Sequence, residues 1–352
     1  MIISLNRVKY EYKKNKIKSQ TLLSGLENKD IYLFGAGFLG VNAYKGLKKL
    51  NLKIKNFVDD SKRLQNLMIE NVKIISKKTL LSRDLSNSLI IITIWHPNHK
   101  YMWTKKKLFK KHNKIVFHYY DLVRIFPKIL TKFSMFNDGQ DIIKNWDRVK
   151  YLYKILNDKK SKLYFSEYIN WIVFGDFDAQ KTRIDKNQYI PNGIFNHNKL
   201  KNVVDVGAFQ GDTFIRLVRN KKLNLEKYIA IEPDKLNFKK LEKNIKPYKK
   251  ILDVKSMNKA VTNSNKPVYF ANTGKESSSI RKSKRNNKQI SKINSISIDD
   301  ILKNTQNSLV AIDVEGHEQE VLSSSRNIIS KANTIFAISI YHNQTDVLKF
   351  YD

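Results

Sequence analysis

Two glycine-rich turns in this chain carry residue types that could do chemistry, and they differ in one charge. The second turn lies in "VVDVGAFQGDT", residues 203–213, where Asp205 ends a hydrophobic run and Gly207, Ala208 and Gly211 follow. Glycines at that spacing bend a loop closely around a ligand, and Asp212 with Thr213 fall where the next helix would be capped. Roughly twenty residues after Gly211, "YIAIEPD" brings Glu232 to the tip of the next strand, suited to accept hydrogen bonds from both hydroxyls of a ribose. Asp205 discriminates between cofactors. Its charge repels a dinucleotide pyrophosphate and favours a ligand carrying an α-amino group and a sulfonium, a description that S-adenosylmethionine fits.

Two later segments add groups that could move a proton. "SLVAIDVEGHEQEVL", residues 308–322, delivers Asp313, Glu315, His317 and Glu318 to a strand end, and "IFAISIYHNQ" delivers Tyr341 and His342. Transfer of that cofactor's activated methyl group is an in-line displacement, so the protein aligns two reactants and removes any proton the acceptor carries. His342 is the first candidate base because a free imidazole titrates near neutrality. Asp313, Glu315 and His317 form the second candidate. Plainer alternatives stand beside them: Glu318 and Glu320 as a solvated helix start, Asp313 as a helix cap or as a partner for the methionine end of the cofactor, and His342 as a lone structural loop histidine. The carboxylates also suit a divalent cation that acidifies a hydroxyl, and the spacing alone does not decide whether a metal is bound.

The first turn lies in "IYLFGAGFLG", residues 31–40, with Gly35, Gly37 and Gly40 at the spacing of nucleotide-binding turns. Asp59 and Asp60 follow about twenty residues later, where a carboxylate could hold a ribose. The alternative is that a strand-to-helix turn needs glycines for its own sake. In "TIWHPNHKYMW", residues 93–103, His96 and His99 suit ligand lining or loop packing better than metal binding.

These residues need sheets to hold them. Residues 30–126 alternate strands and helices, from "IYLF" through "KIKNFVDD" and "SLIIITIW" to "KIVFHYY", and predict a parallel sheet covered by helices. Residues 127–198 change to long amphipathic stretches such as "DIIKNWDRVKYLYKILND", and read as a helical connector. A second series, "VVDVG", "KYIAIEP", "ILDVKS", "VYFAN", "LVAIDVE" and "TIFAISIYH", occupies 199–352. The predicted fold class is α/β, with two tandem Rossmann-like parallel-sheet domains.

Composition sets the outer bounds. At 352 residues the chain is long enough for two cores, and 41% hydrophobic content with 12 Gly and 6 Pro describes a folded chain. The absence of cysteine excludes disulfides, a thiolate nucleophile and cysteine zinc sites. No apolar run approaches a membrane span and the first residues lack a signal-peptide pattern, so a cytoplasmic protein is expected. Lys and Arg total 66 against 32 Asp and Glu, a formal charge of +34. Lysine is spread along the whole chain and no nucleic-acid-reading motif accompanies it, so the charge points to no specific nucleic acid. Attraction to an acidic glycan or, peripherally, to an anionic membrane surface fits better.

From about Leu163 onward, "YF", "VVDVGAFQGDT", "IEPD", "NKAV", "SISIDDIL", "IDVEGHEQEVL" and "ISIYHNQTD" together resemble the FkbM family of S-adenosylmethionine-dependent methyltransferases. The resemblance implies a class I methyltransferase fold and O-methylation of sugar or polyketide hydroxyls, often in surface-glycan or natural-product pathways. It implies that Asp205, Gly207, Gly211 and Glu232 hold the cofactor, with Asn258 beside its adenine. The expected reading is an O-methyltransferase acting on a sugar hydroxyl. One departure is that a class I fold continues after its fifth strand, whereas this sequence has only ten residues beyond His342. The last two strands are therefore expected to be missing, which implies either a truncated chain or a partner over the uncovered edge, a second copy of the chain among the candidates.

The first domain, through "GAGFLG", "FVDDS" and "NVKIIS", is similar to Rossmann-like domains that precede sugar-modifying domains, which implies a nucleotide or sugar-nucleotide ligand. Two other readings stay open. One is an NAD-dependent sugar-nucleotide oxidoreductase or epimerase centred on the first turn, which lacks a Tyr-x-x-x-Lys pair. The other is a non-catalytic binding protein. The basic segment "TGKESSSIRKSKRNNK", residues 273–288, reads as a solvated loop or as a lid that recruits an anionic acceptor through Arg281, Lys282, Lys284 and Arg285.

Overall fold

In the computed structural model, the described residues are 5–22, 25–95, 106, 109, 115–130, 138–174, 188–220, 223–272, 274, 279–281, 290–303, 305–330, 333–343 and 345–350. The chain divides into two compact units, Met1–Arg183 with Asn343–Asp352, and Ile184–His342. The helices between residues 140 and 174 belong to the first unit, and the last ten residues return to it. Among the described residues, no helix is long and apolar enough to cross a membrane.

The first unit is built on strands β1 (Asp30–Phe34), β2 (Ile54–Val58), β3 (Met68–Ile69), β4 (Val72–Ile75), β5 (Ser88–Ile92) and β6 (Ile115–His118). They form one six-stranded sheet in the order β3-β4-β2-β1-β5-β6, parallel except for the β3–β4 hairpin. β1 and β5 are almost wholly buried, as expected of strands covered on both faces. Helix α1 (Phe38–Lys48) follows β1 and packs Leu39, Ala43, Tyr44 and Leu47 inward. Helices α2 (Trp146–Ile155) and α3 (Lys159–Phe174) come from the segment read as a connector, and α3 buries Phe165, Ile169, Trp171, Ile172 and Val173.

The second unit holds β7 (Asn202–Val206), α4 (Asp212–Val218), β8 (Lys227–Ile231), α5 (Lys235–Ile245), β9 (Asp253–Met257), β10 (Ala260–Val261), β11 (Val268–Ala271), β12 (Ser279–Arg281), β13 (Ile290–Ile293), β14 (Ser295–Ile296), α6 (Ile298–Ile301), β15 (Ser308–Ile312), α7 (Glu318–Ser323) and β16 (Thr334–Ile338). Its main sheet is parallel and five-stranded, in the order β16-β15-β7-β8-β9. Alternate residues of the strands serve opposite faces. Val203, Tyr228, Ala230, Leu309 and Ala311 pack with Phe214 and Leu217 of α4 and Leu241 and Ile245 of α5. Val204, Val206, Ile229, Ile231, Val310 and Ile312 pack on the other side with Ile298 of α6 and Val321 of α7. Two layers of helices therefore sandwich the sheet, which is why its strands read as continuous hydrophobic runs.

"VYFAN" does not join this sheet. β11 pairs antiparallel with β12 and β13 in a separate three-stranded sheet around Phe270 and Ile293. Antiparallel neighbours need no helical crossover, so this segment could close on itself. The main sheet stops at β16 on one side and β9 on the other among the described residues.

Candidate active site

Parallel register aligns the strand ends of the second unit in one row: Val206 faces Ile231 and Ile312, Ile231 faces Met257, and Ile312 faces Ile338. The next residues, Gly207, Glu232, Asn258 and Asp313, leave the sheet together at the edge where open α/β folds bind ligands.

Gly207 makes the first bend with φ 84°, and a Cβ added there would stand 1.9 Å from the Asp313 carbonyl oxygen. Only glycine fits, because the turn after β7 passes directly over the backbone of β15. The amides of Gly207 and Ala208 both donate to the Ile231 carbonyl at 3.0 Å, and Gly211 closes the loop by donating to the Ala208 carbonyl at 2.8 Å. Gly211, at φ 88°, is itself the N-cap of α4 and offers no side-chain cap. This corrects the expectation that Asp212 and Thr213 cap the helix. Asp212 is its first residue, 3.6 Å from Arg216, and Thr213 is buried.

Two carboxyls lie beneath this loop. Asp205 is 4% exposed and accepts a 2.8 Å hydrogen bond from the Tyr228 hydroxyl, and burial pushes its carboxyl up to about 7. Glu232 is 5% exposed and accepts from the amides of Phe209 at 2.9 Å and Asp234 at 2.8 Å. Burial pushes it up to about 8 despite those two bonds, and Asp234 and Asp205 add to the rise. Both sites are expensive places for negative charge, and a cation or paired hydroxyl donors would stabilise the ionised forms. Asn258 donates to the carbonyls of Glu232 at 2.9 Å and Pro233 at 3.0 Å, so its side chain steadies the loop carrying Glu232.

Across the row stands a second group. Asp313 follows β15 and receives the hydroxyls of Tyr189 at 3.4 Å and Tyr341 at 3.4 Å. The His342 Nε2 lies 3.4 Å from Asp313 and 3.5 Å from Glu315. Its Nδ1 lies 2.7 Å from Glu318, which is fully buried and also accepts the amides of Val314 and Gly316 at 3.2 Å. These acids hold the imidazole above its ordinary value against the opposing effect of burial, with Glu318 the strongest of them.

Residues 205–349 match the methyltransferase FkbM domain model. This segment is an FkbM methyltransferase domain. The match supports a methyltransferase. The fold agrees: methyltransferase FkbM from Methylobacillus flagellatus KT superposes with a TM-score of 0.75 at 17% identity, over 98% of this chain and 92% of that one. A second solved structure, RSP in complex with β-NADH, reaches a TM-score of only 0.25 at 19% identity, over 40% of this chain and 70% of that one, and carries no inference. No curated protein matches the sequence.

Within the FkbM domain, the structure brings together most of the expected site residues and gives Glu318 a role beside His342. His317 does not join Asp313 and Glu315; it starts α7 and lies 3.9 Å from Glu320. Its neighbour Glu318 turns inward instead and holds His342. The sequence brings Glu318 to this strand end with a solvated helix start as the plainer alternative, and the structure decides for the buried position against His342. The basic segment 273–288 falls outside the described residues except for Gly274 and β12, and so do His96 and His99 of the first unit.

The first unit's turn is built on the same plan. Gly35 has φ 122°, its carbonyl accepts from the Thr93 hydroxyl at 2.8 Å, and a Cβ on Gly40 would stand 2.1 Å from that same carbonyl oxygen. Around Gly37 there is open space, as a ligand-facing position requires. Asp59 accepts the amides of Ala36 at 3.0 Å and Ser61 at 2.8 Å, and Asp60 is exposed.

Proposed function

We propose that the protein is an S-adenosylmethionine-dependent O-methyltransferase acting on a sugar hydroxyl, in surface-glycan biosynthesis. The observation that carries this reading is the pair of buried, hard-to-ionise carboxyls, Asp205 and Glu232, beneath the turn Gly207–Gly211 of an FkbM domain. Those residues fit the cofactor. Asp205 matches a cationic amino acid end, Glu232 matches two ribose hydroxyls, and Ala208, Asp212, Thr213 and Asn258 border the same loop. Bound there, the cofactor supplies an activated methyl group.

The protein's own task is to orient the acceptor and take the hydroxyl's proton and charge. Asp313, Glu315 and His342 are the set proposed for that work, with Glu318 fixing the imidazole through Nδ1. The net charge of +34 supports an anionic sugar acceptor. The first unit's turn, with Gly35, Gly37, Gly40, Asp59 and Asp60, is proposed as an accessory nucleotide or sugar-nucleotide site.

Transfer of labelled methyl from S-adenosylmethionine to a panel of sugar nucleotides and acidic glycans tests the reading. His342→Ala is expected to lower kcat on the order of 100-fold or more while leaving cofactor affinity unchanged. Unchanged turnover would remove His342 from the catalytic set.

A further inference from the structure

His342 is in an unusual position for a neutral or a protonated imidazole. Its side chain is 9% exposed, its Nδ1 is taken by the fully buried Glu318 at 2.7 Å, and its Nε2 is buried without a hydrogen-bond partner. That nitrogen points between Asp313 Oδ1 at 3.4 Å and Glu315 Oε2 at 3.5 Å. With Nδ1 donating to Glu318, a neutral ring turns a lone pair toward two carboxylates. A proton on Nε2 reaches neither oxygen at hydrogen-bond geometry. Glu318 Oε2 is buried without a partner as well.

We propose that Asp313, Glu315 and His342 form a binding site for a divalent cation of the Mn2+ type, with Glu318 as the carboxylate that orients the imidazole. The three candidate ligand atoms lie within 4.8 Å of one another. Adjacent ligands about 2.2 Å from a shared octahedral ion lie about 3.1 Å apart, a few tenths of an ångström inside the 3.4 and 3.5 Å of the two His342 contacts. A metal-bound imidazole characteristically gives its other ring N–H to a carboxylate, and Glu318 is placed for that. One nitrogen and two carboxylate oxygens suit hard or borderline cations such as Mn2+, whereas soft thiophilic ions prefer sulfur. Glu315 is held at φ 55° beside Gly316 at φ 97°, in a turn whose amides also close on Glu318. Glu318 thus sets the position of two of the three ligands. The ion would supply Lewis acidity toward an oxygen in its open positions. The site shares residues with the methyl-transfer reading and does not depend on it, because its readout is ion binding; with Nε2 on the ion, His342 acts as a ligand and not as the base.

The full chain, stripped with a chelator, is titrated with Mn2+ and followed by electron paramagnetic resonance, with pulsed detection of nitrogen coupling. One ion per chain is expected, with a nitrogen coupling that His342→Gln abolishes. Glu315→Gln, a conservative change at a partly exposed side chain, is expected to weaken binding at least 10-fold without unfolding the chain. Asp253→Asn, at the opposite end of the sheet, is expected to leave binding unchanged. Mn2+ binding equal in wild type and Glu315→Gln, or bound Mn2+ without nitrogen coupling in the wild type, would overturn the site. Either failure leaves cofactor affinity, measured separately, as the test of methyl transfer.

Discussion

The two units use the same backbone device and surround it with different charge. In each, the first strand runs into a glycine turn, and the carboxylate after the second strand accepts an amide of that turn. Ala36 donates to Asp59 at 3.0 Å in the first unit, and Phe209 donates to Glu232 at 2.9 Å in the second. Beyond this the units diverge. β1 ends in Leu33 and Phe34, whereas β7 carries the buried Asp205. The strand beside the first one is followed by Thr93 in the first unit and by Asp313 in the second. Glu232 is buried and pushed up to about 8, while Asp59 is only half-buried. The shared turn therefore lets a ligand approach backbone in either unit, and the buried carboxyls of the second unit are the ground on which its ligand is proposed.

The comparison can be broken most severely at the glycines. Gly207→Ala puts a methyl group against the Asp313 carbonyl at a left-handed φ of 84°, and is expected to destabilise the second unit by about 3 kcal/mol or more. Gly37→Ala meets nothing within 4 Å and is expected to change stability by less than about 1 kcal/mol. Urea unfolding reads both, and equal losses at the two positions would contradict the packing described.

A titration sharpens the electrostatic half of the contrast. The Glu232 carboxyl rises from its ordinary 4.5 to about 8 on folding, through burial and the nearby Asp234 and Asp205. The folded state thus keeps a proton that the unfolded chain releases. Its contribution to stability is complete below about 4.5 and is lost as pH rises through about 8. The slope within that window is about 1.4 kcal/mol per pH unit. Glu232→Gln is expected to flatten it, and cofactor affinity in the wild type is expected to strengthen across the same window because the ligand favours the carboxylate.

The smallest effect belongs to Asp59. Asp59→Ala removes the acceptor for the Ala36 and Ser61 amides, at an expected cost of about 1–2 kcal/mol to the first unit. Differential scanning calorimetry reads that loss, which is expected to leave S-adenosylmethionine affinity untouched.

Much of this contrast was legible in the sequence, because it is local. A buried parallel strand is a run of β-branched residues, the turn after it needs glycine, and the acid about twenty residues on marks the next strand end; Asp205 and Glu232 are found that way. What was not legible depends on residues far apart in the chain. Glu318 is buried only because the strand β16 returns His342, 24 positions later, to its carboxylate, so a helix-start glutamate could not be told from a solvated one. The position of Gly211 as helix cap hid Asp212 in the same way, since a left-handed glycine leaves the next acid outside the cap. "VYFAN" has the pattern of any strand, and its antiparallel pairing with Ser279–Arg281 and Ile290–Ile293 is set by those partners.

The central claim is that the cofactor's place is under the second turn and not the first. Isothermal titration of S-adenosylmethionine into the wild type, Glu232→Ala and Asp59→Ala tests it most directly. One site per chain is expected, undisturbed by Asp59→Ala and weakened on the order of 100-fold by Glu232→Ala, as two charged hydrogen bonds would require. Binding that survives Glu232→Ala intact, or that is lost with Asp59→Ala, would contradict the account.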